Sequence, residues 1–240
     1  MKRVLVINPN TSAHVTDMVL ASCRRAHPAV HWDGATGRLG AAYIASEAAY
    51  AIAAHAALDA CAAHYAGHDA VLVACFGDPG LLALRELALA PVVGLAQSSF
   101  EAAAQRGPFA VVTGGRAWGP MLERFARMHQ LDARLVGVYT VDLTGAQIAE
   151  APDTALQDLC RACERGIDAG ARNIVLGGAA LAGLAATLQP RVAIPLLDNV
   201  LLGAQAAVDA ALRAPLPTVA PVASRSPVTG LGPALTQLLG

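Results

Sequence analysis

The feature that most constrains this chain is an internal duplication broken at one residue. Around position 75 the sequence reads VLVACFGDPGLLALREL, and around position 178 it reads IVLGGAALAGLAATL. Aligning Gly80-Leu81 with Gly183-Leu184 gives an offset of 103 residues and sets Cys75 opposite Gly178. RVLVINPNTS near the start likewise matches FAVVTGGRAW at 109–118, with Ile7 opposite Val112, an offset of 105. Pro91-Val92-Val93-Gly94 matches Pro195-Leu196-Leu197-Asp198, an offset of 104. A chain built twice from one pattern folds as two similar halves. Matched thiols in the two halves would make a two-base proton shuttle, and this chain carries one of them.

Within each half, short continuous apolar runs alternate with helical segments. Such runs are strands buried on both faces, which is the signature of a parallel sheet covered by helices. Strands are expected at 3–8, 30–36, 70–75, 91–95, 109–113, 134–139, 173–177 and 192–196. Helices are expected at 12–26, 47–65, 79–89, 117–129, 153–169, 180–188, 200–212 and 232–239, with one more after Ser98 or Ser99 as cap. The reading is α/β: two doubly wound parallel-sheet domains related by a pseudo-twofold axis, with a cleft between them. The first domain takes residues 1–98 and 200–240, the second 99–199. The proline-rich tail after Arg213 is expected to wrap the surface.

Composition narrows the function. The 17 basic and 18 acidic residues are interspersed and give a net charge of -1, so nucleic acid is not an expected partner. No span approaches the 18–20 or so apolar residues needed to cross a bilayer, and the start reads as a strand rather than a signal peptide. Five cysteines without a framework of close pairs suit a reducing compartment, so the cytoplasm is the expected location. Cys160 and Cys163 form a lone CxxC inside a helical pattern, without the histidines or second CxxC of a metal site. The only lysine is Lys2, which leaves no Schiff-base candidate for pyridoxal chemistry. No metal or cofactor is expected, and there is no Walker A, GxGxxG or G-x-S-x-G motif.

Ligands of open α/β sheets bind beyond the carboxyl ends of the strands, and the polar segments here fall at those ends. Asn10, Thr11 and Ser12 follow the first strand, where a turn leading into a helix can receive a carboxylate or simply cap the helix. Cys75 ends a buried strand before a helix, whose positive end would lower its pKa and favour thiolate. A small buried residue at a strand end is the alternative. Asp78 could cap or orient this loop. Thr113 opens the matching turn of the second half, and Gly178-Ala179 could supply backbone N–H groups to an oxyanion. Glu47 and Tyr50 border the expected cleft, His14 is the histidine nearest the first ligand loop, and Arg38 and Arg116 are candidates for an anion, though each is more often a surface residue.

Taken together, INPNTS (7–12), ACFGDPGLLALREL (74–87), PVVGL (91–95), VVTGG (111–115), IVLGGAALAG (174–183) and IPLLD (194–198) resemble the aspartate/glutamate/hydantoin racemase superfamily, most closely its hydantoin and allantoin racemase branch. The resemblance spans nearly the whole chain. It implies two α/β domains, a cleft site, a small-molecule substrate, no cofactor, and a homo-oligomer. It also implies that Cys75 is the first-half acid/base, that Asn10, Thr11, Ser12, Phe76, Thr113 and Ala179 contact substrate, and that the second cysteine of the family motif falls at Gly178. A racemase acting by α-proton abstraction on a hydantoin-like or small carboxylate substrate is the leading expectation. The departure at Gly178 keeps two alternatives open. One is a one-cysteine decarboxylase of malonate-type substrates, resembling the superfamily's arylmalonate decarboxylase branch in mirror image. The other is a member that binds a ligand with weak or no turnover.

Overall fold

The computed structural model describes residues 1–87, 90–142, 152–213 and 228–239; most of the proline-rich tail falls outside them. Two four-stranded parallel sheets form the framework. The first contains β1 (Arg3–Asn8), β2 (His31–Thr36), β3 (Ala70–Val73) and β4 (Val92–Gly94) in the order β2-β1-β3-β4. The second contains β5 (Phe109–Gly114), β6 (Leu135–Val141), β7 (Asn173–Gly177) and β8 (Leu196–Asp198) in the order β6-β5-β7-β8. The strand order of one half repeats that of the other.

Register makes the duplication quantitative. Ile7 lies beside Val73 and Val73 beside Gly94; in the second sheet Val112 lies beside Leu176 and Leu176 beside Asp198. The three offsets read from the sequence, 105, 103 and 104, are therefore the offsets of the sheets themselves. The two central loops agree in backbone as well: Gly80 has φ 82° and Gly183 has φ 84°, each just before a helix. Both are in the left-handed region that glycine adopts without steric cost.

The helices are α1 (Ala13–Ala26), α2 (Glu47–His64), α3 (Leu81–Glu86), α4 (Leu95–Gln105), α5 (Trp118–Met128), α6 (Pro152–Asp168), α7 (Leu184–Leu188), α8 (Asn199–Leu212) and α9 (Pro233–Leu239). Helix α8 follows the last strand of the second sheet but packs on α4, α1 and the first sheet, and α9 packs on α2. Helix α4 touches strands of both sheets. Its Phe100 is fully buried and stacks with Phe76, Phe109 and Phe125 at centroid distances of 5.4–5.8 Å. Every phenylalanine of the chain thus meets at one point, where the two halves join.

Several elements depart from the sequence expectation. The strand expected at 70–75 stops at Val73, so Cys75 lies in the loop beyond it. The helix expected at 79–89 starts at Leu81. The segment expected as a helix over 180–188 is a 3-10 turn at Ala179–Leu181 followed by α7 from Leu184. The last strand begins at Leu196 rather than at 192. Residues 189–191 form a 3-10 turn, and the Gln189 side chain bonds Val192 O, Ile194 O and Leu196 N, which holds the intervening segment out of the sheet. Helix α4 begins at Leu95, so Ser98 and Ser99 lie inside its first turns, their hydroxyls donating back to Gly94 O and Leu95 O. Its cap comes from elsewhere in the chain.

Candidate active site

A cleft with about 630 Å³ of empty space opens between the carboxyl ends of the two sheets. The first half contributes Asn10 and Val15, the loop Ala42–Ile44, and Ala74, Cys75 and Phe76. The second half contributes Thr113, Gly114, Trp118 and the segment Gly177–Leu181. Of the residues expected at the site, Asn10, Cys75, Phe76, Thr113, Gly178 and Ala179 are brought together here. Thr11 is exposed and Ser12 serves as the N-cap position of α1; neither is in the wall. His14 is exposed on α1.

The Asn-Pro-Asn turn is held by Asn8, which is fully buried. Its Nδ2 lies within 3.1 Å of Asn10 Oδ1, Ser12 O and Thr16 Oγ1. Asn10 Oδ1 also accepts from Ser12 N at 2.9 Å. With its oxygen occupied by the turn, Asn10 has only its amide N–H₂ to offer the cleft. Thr113, three per cent exposed, occupies the register position of Asn8 in the second half and forms part of the cleft wall.

The Cys75 loop is shaped by contacts from both halves. Asp78 N bonds Cys75 O at 3.0 Å, and Asp78 has φ 54°. The Asp78 carboxylate does not cap α3, which follows it. It crosses to α4 and accepts from Ala96 N and Gln97 N at 2.9 and 2.8 Å. It fills the space that a side chain at Gly94 would need: a Cβ there would lie 2.1 Å from Asp78 Oδ2. The second half makes the same connection from the opposite end. Asp198, the counterpart of Gly94, caps α8 through Val200 N and Leu201 N and accepts from Gly183 N in the loop at 2.7 Å. Two aromatic side chains cross between the halves in reciprocal fashion. Trp118 lies over Gly77, where a Cβ would be 2.5 Å from its ring, and Phe76 lies over Gly177, where a Cβ would be 2.2 Å from its ring. Trp118 Nε1 donates to Ile44 O, and Tyr50 Oη donates to Gly77 O.

Burial corrects the expectation for the Cys75 thiol. Its pKa is pushed up, first by removal from water and second by the charge of Asp78. The helix meant to lower it, α3, has only six residues and starts at Leu81, too far along the chain to oppose these effects. The resting group is a thiol. Asp78 itself is pushed up to about 7 by burial, against the pull of its two backbone N–H bonds.

No charged side chain lines the cleft among the described residues. Arg38 is committed to the buried Asp59, and Arg116 to Asp142, so neither is held at the cleft to receive an anion. Glu47 forms a two-pronged exposed pair with Arg124 of α5. Tyr43, like Val15, Ile44 and Trp118, is a wall residue that the sequence does not mark. Its hydroxyl donates to Gly114 O at 3.2 Å, and nothing in the run GAAYIAS signals that contact. Gly178 has φ 127°, a conformation reserved for glycine. A Cβ built on it meets nothing closer than Leu181 Cγ at 3.6 Å and Thr113 Oγ1 at 3.8 Å. There is room for a side chain, but the backbone has settled where side chains are strained.

Comparison with known proteins agrees with this architecture. The family described as Asp/Glu/Hydantoin racemase matches residues 4–207. A hydantoin racemase of Paenarthrobacter aurescens is 31% identical over 214 residues, 82% of this chain and 86% of that protein. A hydantoin racemase of Pseudomonas sp. (strain NS671) is 32% identical over 139 residues, 57% of this chain and 56% of that protein. The structure of allantoin racemase from Klebsiella pneumoniae superposes with a TM-score of 0.81 at 29% identity, covering 87% of each chain.

Proposed function

The chain belongs to the Asp/Glu/hydantoin racemase family, and from that premise we propose that it inverts the acidic ring carbon of a hydantoin-like substrate, with Cys75 as acid and base on one face. The observation that carries the substrate class is the cleft wall. Its described residues offer the Asn10 amide N–H groups, the Thr113 and Tyr43 hydroxyls and the backbone of Gly177–Leu181, and no charge. A neutral ring with two carbonyls and two N–H groups finds partners there. A free dicarboxylate or α-amino acid would bring unpaired charges into a low-dielectric site, at a cost of several kcal/mol.

The ring supplies its own electron sink. When Cys75 removes the proton, the electron pair moves onto the adjacent carbonyl oxygen, and N–H groups at Gly178 and Ala179 are suited to hold that oxygen as charge develops. No cofactor is required for this step. Because the resting group is a thiol, the reaction begins from the small fraction of thiolate, or after substrate entry has altered the surroundings of Cys75. Substrate binding further draws on Asn10, with Thr11 and Ser12 shaping its turn, and on Phe76, which closes the wall. We also propose that the chain is divided into two domains, 1–98 with 200–240 and 99–199, joined through a shared core; the packing of α8 and α9 on the first half supports this division. A cytoplasmic homo-oligomer fits the five unpaired cysteines and the exposed apolar Ile52, Leu201 and Leu212.

Gly178 favours a second reading, a lyase that protonates a carbanion from the Cys75 face after loss of CO₂. The uncharged wall weighs against it, because a malonate enters as a dianion. The test is a substrate panel followed by polarimetry and CO₂ release: single enantiomers of 5-substituted hydantoins and of allantoin, free aspartate and glutamate, and phenylmalonate. Loss of rotation with the cyclic ureides alone is the expected result. CO₂ from phenylmalonate with unchanged hydantoins would replace the racemase by the lyase.

A further inference from the structure

Inversion needs a proton carrier on each face of the ring, and sheet register sets Gly178 where the second thiol would stand. We propose that Tyr43 is that second carrier, its phenol delivering and removing the proton on the face opposite Cys75. The proposal rests on the racemase reading and names the group that completes it.

Among the described side chains that line the cleft, Cys75 and Tyr43 are the two that titrate in water. Their ordinary pKa values, roughly 8.5 and 10, are close enough for either to serve the same carbanion. The Thr113 hydroxyl is also near Gly178, but an aliphatic alcohol is far too weak an acid to stand in for a thiol.

Position supports the phenol. Tyr43 belongs to the loop between β2 and α2 of the first half, yet its hydroxyl reaches across to Gly114 O of the second sheet. Gly114 follows Thr113, and Thr113 pairs in register with Gly177, the neighbour of Gly178. A Cβ built on Gly115 would lie 2.6 Å from Tyr43 Oη, so this glycine turn is what admits the oxygen. Cys75 lies in the loop two residues beyond β3 of the first sheet, and the phenol oxygen rests on the end of the second sheet; the two groups reach the cleft from the ends of different sheets, as carriers for opposite faces of a ring must. At 3.2 Å the bond to Gly114 O is long for an O–H donor, where 2.7–2.8 Å is usual, so the hydroxyl can be redirected to substrate cheaply. The two groups also feel each other: burial, and after it charge on Cys75, both favour the neutral phenol. A thiolate facing a neutral phenol is the protonation state that one direction of the reaction requires.

The step balances. The ring C–H bond breaks as the S–H bond of Cys75 forms, and the electron pair moves into the carbonyl. The carbonyl then returns the pair to form a new C–H bond on the other face as the Tyr43 O–H bond breaks. Thiol and phenolate remain. That state either turns over the opposite enantiomer or resets by exchanging one proton each with solvent.

Tyr43→Phe keeps the ring and removes the oxygen. The assay is NMR in D₂O on the enantiomer whose proton faces Cys75, following deuterium uptake and inversion separately. The expected result is inversion reduced about 100-fold or more, the range lost with one acid–base group. Cys75-dependent deuterium uptake should persist with retained configuration, a signature that a merely structural tyrosine would not give. Inversion at the wild-type rate in Tyr43→Phe overturns the proposal. So does equal loss of uptake and inversion, which assigns Tyr43 to binding, or separation of the two rates in Thr113→Val and not in Tyr43→Phe. Wild-type protein that neither exchanges nor inverts any hydantoin overturns instead the racemase reading on which the proposal stands.

Discussion

Cys75 lies in the loop just past β3, in an apolar corner of the cleft, with the Asp78 carboxyl three residues on, and both surroundings oppose its thiolate. A raised thiol pKa means that added base increases the reactive fraction well above neutrality. kcat/KM for the enantiomer deprotonated by Cys75 is therefore predicted to climb from pH 7 through the ordinary thiol value of about 8.5 and to be still rising near 9.5. A plateau at pH 7 in the rate profile would show that the thiolate is stabilised after all. Gly178 poses the complementary case. Gly178→Cys puts a side chain where there is room but at a φ of 127°, so the variant should fold with a stability loss of about 1–3 kcal/mol. If the site is a racemase scaffold lacking one partner, that thiol should also restore inversion to Tyr43→Phe. Denaturant melts and chiral chromatography read the two effects; a well-folded double variant that fails to invert would count against the shared two-face logic. The candidate thiol and its glycine counterpart were legible from the repeat, because strand ends in a duplicated sheet are fixed by local pattern. The protonation state of Cys75 and the presence of Tyr43 were not. Both depend on which residues, distant in the chain, close over the strand end.

At the level of elements, each central loop is tied to the helix after the next strand by one carboxylate, placed at opposite ends of the contact in the two halves. In the first half it belongs to the loop, as Asp78, and the strand end is Gly94. In the second it belongs to the strand end, as Asp198, and meets loop Gly183. Nothing in the spacing of Asp78 marks this, since its partners lie 18 and 19 residues away and a cap for the adjacent helix is the local expectation. Gly94→Ala drives a methyl into the carboxylate and should cost about 1–3 kcal/mol by overpacking while displacing the Cys75 loop, read as a fall in both melting temperature and kcat. Asp78 also carries a pH dependence. Its folded pKa, about 7, exceeds the unfolded value near 4, so its stabilising contribution is present at low pH and is lost as pH rises through 7. Asp78→Asn lacks that loss. Between pH 4 and 8 the variant's stability relative to wild type should improve, and a constant difference in chemical denaturation would contradict the raised value.

Across the whole molecule, the duplication yields two sheets but not two independent cores. The cluster around Phe100 joins residues of both halves, and Trp118 and Phe76 cross in opposite directions at the cleft. Phe100→Ala should cost about 3–5 kcal/mol and lower one cooperative transition seen alike by far-UV circular dichroism and tryptophan fluorescence. Two separated transitions, one of them unmoved, would show that the halves unfold apart. The same junction fixes the distance between Cys75 and the second sheet, and so the space for a ring between them. The most direct measurement of the account is deuterium uptake at the acidic ring carbon of a single-enantiomer 5-substituted hydantoin, compared in wild type and Cys75→Ala. Uptake by the wild type that vanishes in the variant is the predicted result. Uptake that survives without the thiol would contradict the account at its centre.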